Sequence, residues 1–408
     1  MAFLGKKFAY FLTLFTVFFF VGCSLKTVKD RRPARERPLE TLYDEASYSL
    51  DKTHFTIDAS SQMATSKILK TPFSSNFIGV YWPHPKDFQY DHNFLIRSSV
   101  DGKRWSRWKD IFLMDDGPDG EEEHFKYSHL VYTQAANYFQ FKIVRVNLSE
   151  TEFDGFIFTF FDSRLPQRSP TQERPEEGDR TRMITRAEWG ADEEISWRKE
   201  SPQPQPFVKH LVIHHSALNN NISHEKCYEA VRAYQTFHIN VRGWSDIGYQ
   251  YLVCQHGYLF QGRRLAEGGQ DVIGAHAKFY NKGSLGVCAI GLYMDTTHLN
   301  EEEKSKFVRE MTEAGELWDK NQEELNIEPS SALREGMVQF LTEKARYYNL
   351  DPRGSYEYTP GGENSTPQNL SSILGHQDVK ATLCPGNNLY RLIPNFKEEI
   401  AGRLEKHP

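Results

Sequence analysis

An α/β domain with a central sheet, preceded by a β-sandwich domain, is the architecture that this 408-residue sequence predicts. Three observations predict it. From about residue 183 onward, short apolar strand-like runs alternate with stretches of helical spacing. Over 50–162 the chain instead carries short aromatic and β-branched runs separated by turn signals. Two charged, proline-punctuated stretches bracket that region, "SLKTVKDRRPARERPLETLYD" from Ser24 and "DSRLPQRSPTQERPEEGDRTR" from Asp162. Such composition cannot bury a core, so residues 23–49 read as a flexible tether and 163–182 as an interdomain linker. The length is ample for two cores and shows no internal repeat. A net charge of -6, mild and spread along the chain, gives no reason to expect a nucleic-acid partner.

In chain order, Lys6 and Lys7 precede the apolar run "FAYFLTLFTVFFFVG". That run is short for a membrane-spanning helix and fits a secretory signal peptide over 1–22. The following "VGCS" resembles a bacterial lipobox, in which cleavage leaves Cys23 as the lipidated first residue; Phe20 stands where an aliphatic residue is usual. An uncleaved anchor is the other reading, and in both the remainder is exported and tied to a membrane. Ser24 after the cysteine resembles lipoproteins sorted to an outer membrane, facing the periplasm. With Cys23 lipidated, four cysteines remain, and no disulfide framework is predicted among Cys227, Cys254 and Cys288.

The β-sandwich rests on "FIGVYW", "NFLIRSSVDGKRW", "YFQFKIVRV" and "FDGFIFTFF", with Asp101-Gly102 as a turn. Trp105 and Trp108 read as packing beside that turn, against a glycan platform as the alternative. Past residue 183, "HLVIHH" (210–215) is a short apolar strand. "SHEKCYEAVRAYQTFHIN" spaces Cys227, Val231, Tyr234 and Phe237 along one helical face, with Ser223 as N-cap and Glu225 in the first turn. "YQYLV" and "YLFQG" flank a turn at Gly257, and "VCAIGLY" (287–293) reads as a buried strand. Helices are expected over about 300–326 and 331–348.

Near the end, "LGHQDVKATLCPG" sets His376 eight residues before Cys384. An imidazole and a thiolate suit zinc but do not complete a site. His214 and His215 are adjacent, so in a strand they point to opposite faces and one at most faces a given site. One of that pair with His376 and Cys384 would make three ligands and leave a fourth position open, the pattern of a catalytic zinc. Two neutral imidazoles and one thiolate leave the ion a net positive charge, enough to acidify water and polarise a carbonyl. Strand-end histidines and a Cys-Pro near a terminus are also ordinary structural features.

"MITRAEWGA", "VKHLVIHHSA", "GWSDIGYQYLV", "GAHAKFYNKGSLGVCAIGLY" and "LGHQDVKATLCPG" occur in that order. Together they resemble the amidase-2 / peptidoglycan recognition protein family over about 183–408. The resemblance implies a mixed β-sheet flanked by helices and a zinc cleft for peptidoglycan or muropeptides. It implies N-acetylmuramoyl-L-alanine amidase activity, with His214, His376 and Cys384 as zinc ligands. Tyr249 and Thr382 match the catalytic positions beside the metal, and His276 and Asn281 match cleft-lining residues. Gly243-Trp244, with Arg263 nineteen residues after the tryptophan, matches the pattern that accompanies preference for meso-diaminopimelate over lysine. Such a stem carries one more carboxylate, which a guanidinium can hold. Asp246 and Asp378 are expected to be structural. The region over 50–162 also resembles, weakly, the β-rich module that precedes some bacterial amidase domains. Cys227 matches one half of a disulfide of catalytic eukaryotic relatives, but the partner position falls in the run 219–221, so the resemblance gives no pairing there. The segment about 300–330 is longer than in minimal members. A monomeric, lipid-anchored zinc amidase is the expectation; an amidase confined to anhydro-muropeptides and a non-catalytic wall-binding lipoprotein are the alternatives.

Overall fold

The computed structural model describes residues 44–58, 60, 63–83, 93–114, 116–119, 124–144, 155–164, 182–197, 201–218, 220, 222–297, 326–362 and 365–406. The signal peptide, Cys23, most of the tether and linker, and the helix expected over 300–326 lie outside the described residues, apart from Asn326.

The N-terminal region begins earlier than expected. Strand β1 (Asp44–Leu50) starts inside the stretch read as tether, because Tyr48 and Leu50 turn inward onto a core. Its neighbours are β2 (Phe55–Asp58), β3 (Met63–Ser66), β4 (Leu69–Pro83), β5 (Asn93–Ser99), β6 (Lys109–Ile111), β7 (Leu113–Met114), β8 (Phe125–Ser128), β9 (Val131–Val144) and β10 (Phe156–Asp162). They make one ten-stranded sheet ordered β1-β10-β4-β9-β3-β2, with β5 and β6 joined through β9, and β8 and β7 through β4. The β-rich domain expected over 50–162 is thus built on one large, continuous sheet. The cause is the length of β4 and β9, 15 and 14 residues, which run through both halves. Register shifts between Lys70 and Phe77 kink β4, opposite Gln134 and Ala135, both at φ 56°. Across the fold Phe141 meets Phe158 at 3.8 Å between ring centroids and Phe139 meets Phe160 at 4.7 Å. Arg97 lies over both Trp105 and Trp108, at 4.9 and 4.7 Å, so packing accounts for these tryptophans.

The C-terminal region is mixed α/β, as expected. Its strands are β11 (Met183–Ile184), β12 (His210–His215), β13 (Tyr251–Cys254), β14 (Leu259–Gln261), β15 (Ser284–Ile290) and β18 (Ile373–Gly375), ordered β11-β14-β13-β15-β12-β18. Only the β13–β14 pair in that sheet is antiparallel. A hairpin of β16 (Ser355–Tyr358) and β17 (Gln368–Ser371) stands apart. Five helices are described: α1 (Arg186–Trp189), α2 (His224–Thr236), α3 (Ser331–Tyr347), α4 (Asn387–Tyr390) and α5 (Ile393–Lys406). Ser223 is the N-cap of α2 and Glu225 lies in its first turn. That helix covers one sheet face with Val231 and Tyr234, while Leu341 of α3 and Ile400 of α5 cover the other. A Cys227–Cys254 disulfide, which sequence reasoning did not assign, ties α2 to β13.

The two regions share one core. Phe77, Tyr132 and Phe161 of the β domain pack with Tyr234 of α2 and with Phe237 in the π-helical turn that follows it. Gly79 lies so close that an added Cβ would stand 2.4 Å from the Phe237 ring. Asn76 Nδ2 donates to Glu229 Oε2 at 2.9 Å, and Arg232 Nε to the Ser163 carbonyl at 2.6 Å. Buried polar groups paired across the boundary fix the orientation of one region on the other.

Candidate metal centre

The site grows from the ends of two paired strands. β12 lies between β15 and β18, and the parallel β12–β18 pairing sets Ile213 opposite Gly375. The next residue on each strand is a histidine, so His214 and His376 emerge side by side. A short 3-10 turn, His376–Asp378, carries the chain on. Asp378 accepts from the Gly375 amide at 2.8 Å and from the Tyr390 hydroxyl at 2.5 Å, the structural role expected for it. The chain returns so that the Gln377 amide donates to the Cys384 carbonyl at 2.9 Å. Cys384 Sγ then stands 3.6 Å from His214 Nδ1 and accepts from the His215 amide at 3.2 Å. The ligand atoms of His214, His376 and Cys384 lie within 4.8 Å of one another, and all three residues are buried. His215 points to the opposite face and packs edge-on to His129.

Both histidines are prepared as neutral donors. Burial, then the neighbouring imidazoles, holds His214 and His376 well below the ordinary histidine range, which keeps ring lone pairs available. His214 Nε2 lies 2.9 Å from His276 Nδ1, and His276 Nε2 lies 3.4 Å from Ser284 Oγ. A proton on His214 Nε2 donated to His276 leaves Nδ1 free to face Cys384, the arrangement that orients a metal-binding imidazole. Neither ring nitrogen of His376 has a hydrogen-bond partner although both are buried. A buried imidazole left this way costs on the order of 1–3 kcal/mol unless something else binds it. The donor set, two nitrogens and one sulfur, suits zinc.

Tyr249 lies beside this cluster, its ring 5.4 Å from that of His214. Burial, then the Asp116 carboxylate, pushes the phenol well above its usual range, so its hydroxyl is a donor; it donates to Asp116 Oδ2. Asp116 was not anticipated. It belongs to the β domain, and its Oδ1 stands 3.8 Å from His214 Nδ1 and 3.5 Å from His376 Nδ1.

Residues 203–387 match the Amidase_2 family model, N-acetylmuramoyl-L-alanine amidase. Peptidoglycan recognition protein 1 of Bos taurus is 26% identical over 216 residues, 52% of this chain and 83% of its own length. N-acetylmuramoyl-L-alanine amidase of Mus musculus is 29% identical over 218 residues, 52% of this chain and 31% of its own length. Among solved structures, wild-type Drosophila PGRP-LB is 25% identical, with 52% of this chain and 92% of that chain covered and a TM-score of 0.35.

The remaining residues expected to line the site are placed unequally. His276 is buried, its Nδ1 2.9 Å from His214 Nε2. Asn281 is buried, accepting from the His276 and Ala277 amides and donating to the Gly117 carbonyl and to Asp119. Thr382 Oγ1 accepts from the Cys384 amide at 3.2 Å, shaping the cysteine loop. Gly243 has φ 71°, a left-handed turn that favours glycine. Trp244 lies 4.5 Å from the His238 ring and under the Arg242 guanidinium at 4.3 Å. Arg263 is 5% exposed; its guanidinium stacks over Trp197 at 4.8 Å and Nη1 donates to the Ile247 carbonyl at 3.1 Å. Asp246 pairs with Arg186 Nη1 at 2.9 Å and is structural, as expected.

Beside the site, burial and then Arg242 lower His129 to about 3. An unfolded chain takes up this proton near pH 6.5 and the folded chain does not, so stability falls as pH drops from 6.5 towards 3. The loss is about 1.4 kcal/mol per pH unit for this one histidine. Urea midpoints of metal-free protein at pH 7, 6 and 5 should fall with acidity, and His129→Gln should flatten that slope.

Proposed function

We propose that this chain is a zinc-dependent N-acetylmuramoyl-L-alanine amidase acting on peptidoglycan or muropeptides. The observation that carries the reading is the buried His214, His376 and Cys384 cluster inside the Amidase_2 match, with both His376 ring nitrogens lacking hydrogen-bond partners. Zinc held there would supply Lewis acidity and an acidified water for attack on the amide carbonyl. His276 keeps His214 in the donor tautomer. Tyr249, protonated and 5.4 Å from the His214 ring, can donate to the oxyanion that develops as the carbonyl is attacked. Thr382, committed to the Cys384 amide, holds the thiolate in place and is not a base. Filled ligand positions favour this over the non-catalytic, wall-binding alternative. Cys384→Ser and His214→Ala should each remove most bound zinc and reduce release of the peptide from muropeptides to background, with the far-ultraviolet spectrum retained. Full hydrolysis by protein stripped of metal would reject the zinc mechanism, and zinc binding without hydrolysis would favour the binding protein.

We further propose a monomer anchored by lipid on Cys23 to the outer membrane, facing the periplasm. The lipobox-like "VGCS" after an apolar run supports this. Cys23→Ala should move the protein from the membrane fraction to the soluble one; unchanged retention would count against lipidation.

Preference for meso-diaminopimelate stems is the finest part of the proposal and rests on Gly243, Trp244 and Arg263. Arg263→Ala should weaken binding of diaminopimelate stems by about 1–3 kcal/mol, the scale of a hydrogen bond to a charged group, and leave lysine stems nearly unchanged. Equal losses on both would assign Arg263 only the internal role that its contacts with Trp197 and Ile247 already give it.

A further inference from the structure

The β domain reaches into the metal centre. Residues 112–114 and 116–119 cross it from Phe112, which packs with Leu292, Met294 and Leu383, to Asp119, which accepts from the Phe279 amide at 2.6 Å. Between them the Gly117 carbonyl accepts from Asn281 Nδ2 at 2.9 Å, and the Asp116 carbonyl from Arg242 Nη2 at 3.0 Å. The Asp116 side chain enters the cluster itself. Its Oδ1 stands 3.8 and 3.5 Å from the Nδ1 atoms of His214 and His376, against 3.6 Å between Cys384 Sγ and His214 Nδ1. Atoms bonded to one tetrahedral zinc at about 2.0–2.3 Å stand about 3.3–3.8 Å apart. Asp116 thus has the spacing of a ligand relative to both histidines. A base acting through a water would stand farther out, by about one hydrogen bond of 2.7–2.8 Å.

The site is also closed in volume. A cavity of about 420 Å³ lies by Leu370, Ile373 and Lys397, and neither His214 nor Cys384 lines it. The cavity that touches the cysteine loop, between Phe112, His215 and Thr382, holds about 10 Å³, less than a water needs. Tyr249 is 1% exposed, Cys384 4% and Asp116 6%. His214 and His376 are 0% and 1% exposed, so the metal position is covered in this conformation.

We infer that Asp116 is a self-supplied fourth ligand and that residues 112–114 and 116–119 form an intramolecular latch, filling the coordination position and the Asn281 contacts that substrate would take. This rests on the zinc reading above. A carboxylate in the fourth position excludes the attacking water, so the latched protein is inactive. Turnover requires the segment to withdraw, and substrate competes with it for the same groups. Being tethered, the latch needs little intrinsic affinity to stay occupied.

The test uses the full chain loaded with cobalt(II), whose visible bands report coordination and whose thiolate charge-transfer band reports Cys384. Azide is the probe of an open position. It should leave the wild-type spectrum unchanged and shift that of Asp116→Ala and Asp116→Asn, while muropeptide turnover rises tenfold or more in both variants. Azide shifting the wild type as much as the variants overturns the latch, and that titration decides the matter alone if the variants fold poorly. Loss of turnover in Asp116→Asn with an azide-responsive metal also overturns it, making Asp116 a participant in the chemistry. If no form hydrolyses muropeptide while azide is excluded only from wild type, the amidase reading fails and the latch stands.

Discussion

Parallel pairing of β12 with both of its neighbours is the constraint on which the site depends. A strand held on two sides cannot slip by one residue without turning its whole inward face outward. With Ile213 locked opposite Gly375, His214 and His376 must leave the sheet together, on the same side and at the same level. The same register sets His214 beside Cys288 on β15, so the imidazole is sealed from water by the sheet itself. Burial then keeps both imidazoles neutral, and a neutral imidazole is the form that binds metal. The fold thus sets the three donor side chains together by itself.

That preparation has an energetic consequence. Three histidines, a cysteine, a tyrosine and an aspartate crowd one buried volume: His214, His276, His376, Cys384, Tyr249 and Asp116. Buried polar groups are tolerated when paired and costly otherwise. His276 is satisfied by His214, and Tyr249 by Asp116, whereas both nitrogens of His376 are orphaned. The part of the cluster that does not satisfy itself is the part facing the proposed ion. Burial energy here is traded for affinity, because metal binding removes a cost already present in the folded protein.

Sequence periodicity made much of this legible. The apolar run of β12 marked the strand, the one-face spacing of Val231 and Tyr234 marked α2, and alternation told that His214 and His215 diverge. The ligand residues were identified by motif, since spacing alone left the choice between the two histidines open. The Cys227–Cys254 bond escaped because its halves lie on different elements, and pairing is decided by packing. Asp116 had no signal: "DDGPDG" reads as an ordinary turn, and only the shared core across Phe161 and Phe237 carries it to a site far along the chain.

How such a segment could withdraw follows from where stability resides. Undocking the whole β domain would expose Phe77, Phe161 and Phe237, all fully buried, and break the Asn76–Glu229 and Arg232–Ser163 hydrogen bonds. Each large apolar side chain returned to water costs about 1.5–3 kcal/mol, so that route is expensive. Local release is cheaper. β7 is two residues long and pairs with β8 through Leu113–Ser128 and Met114–Tyr127, with one further backbone bond from the His129 amide to the Phe112 carbonyl. Phe112 is half-buried, and Asp119 lies at the exposed end of the segment. Short ladders with solvent access are where proteins open first. The physical partition is therefore a rigid junction between domains and a short segment whose release breaks fewer apolar contacts, so that the segment can move while the junction keeps it aimed at His214 and His376.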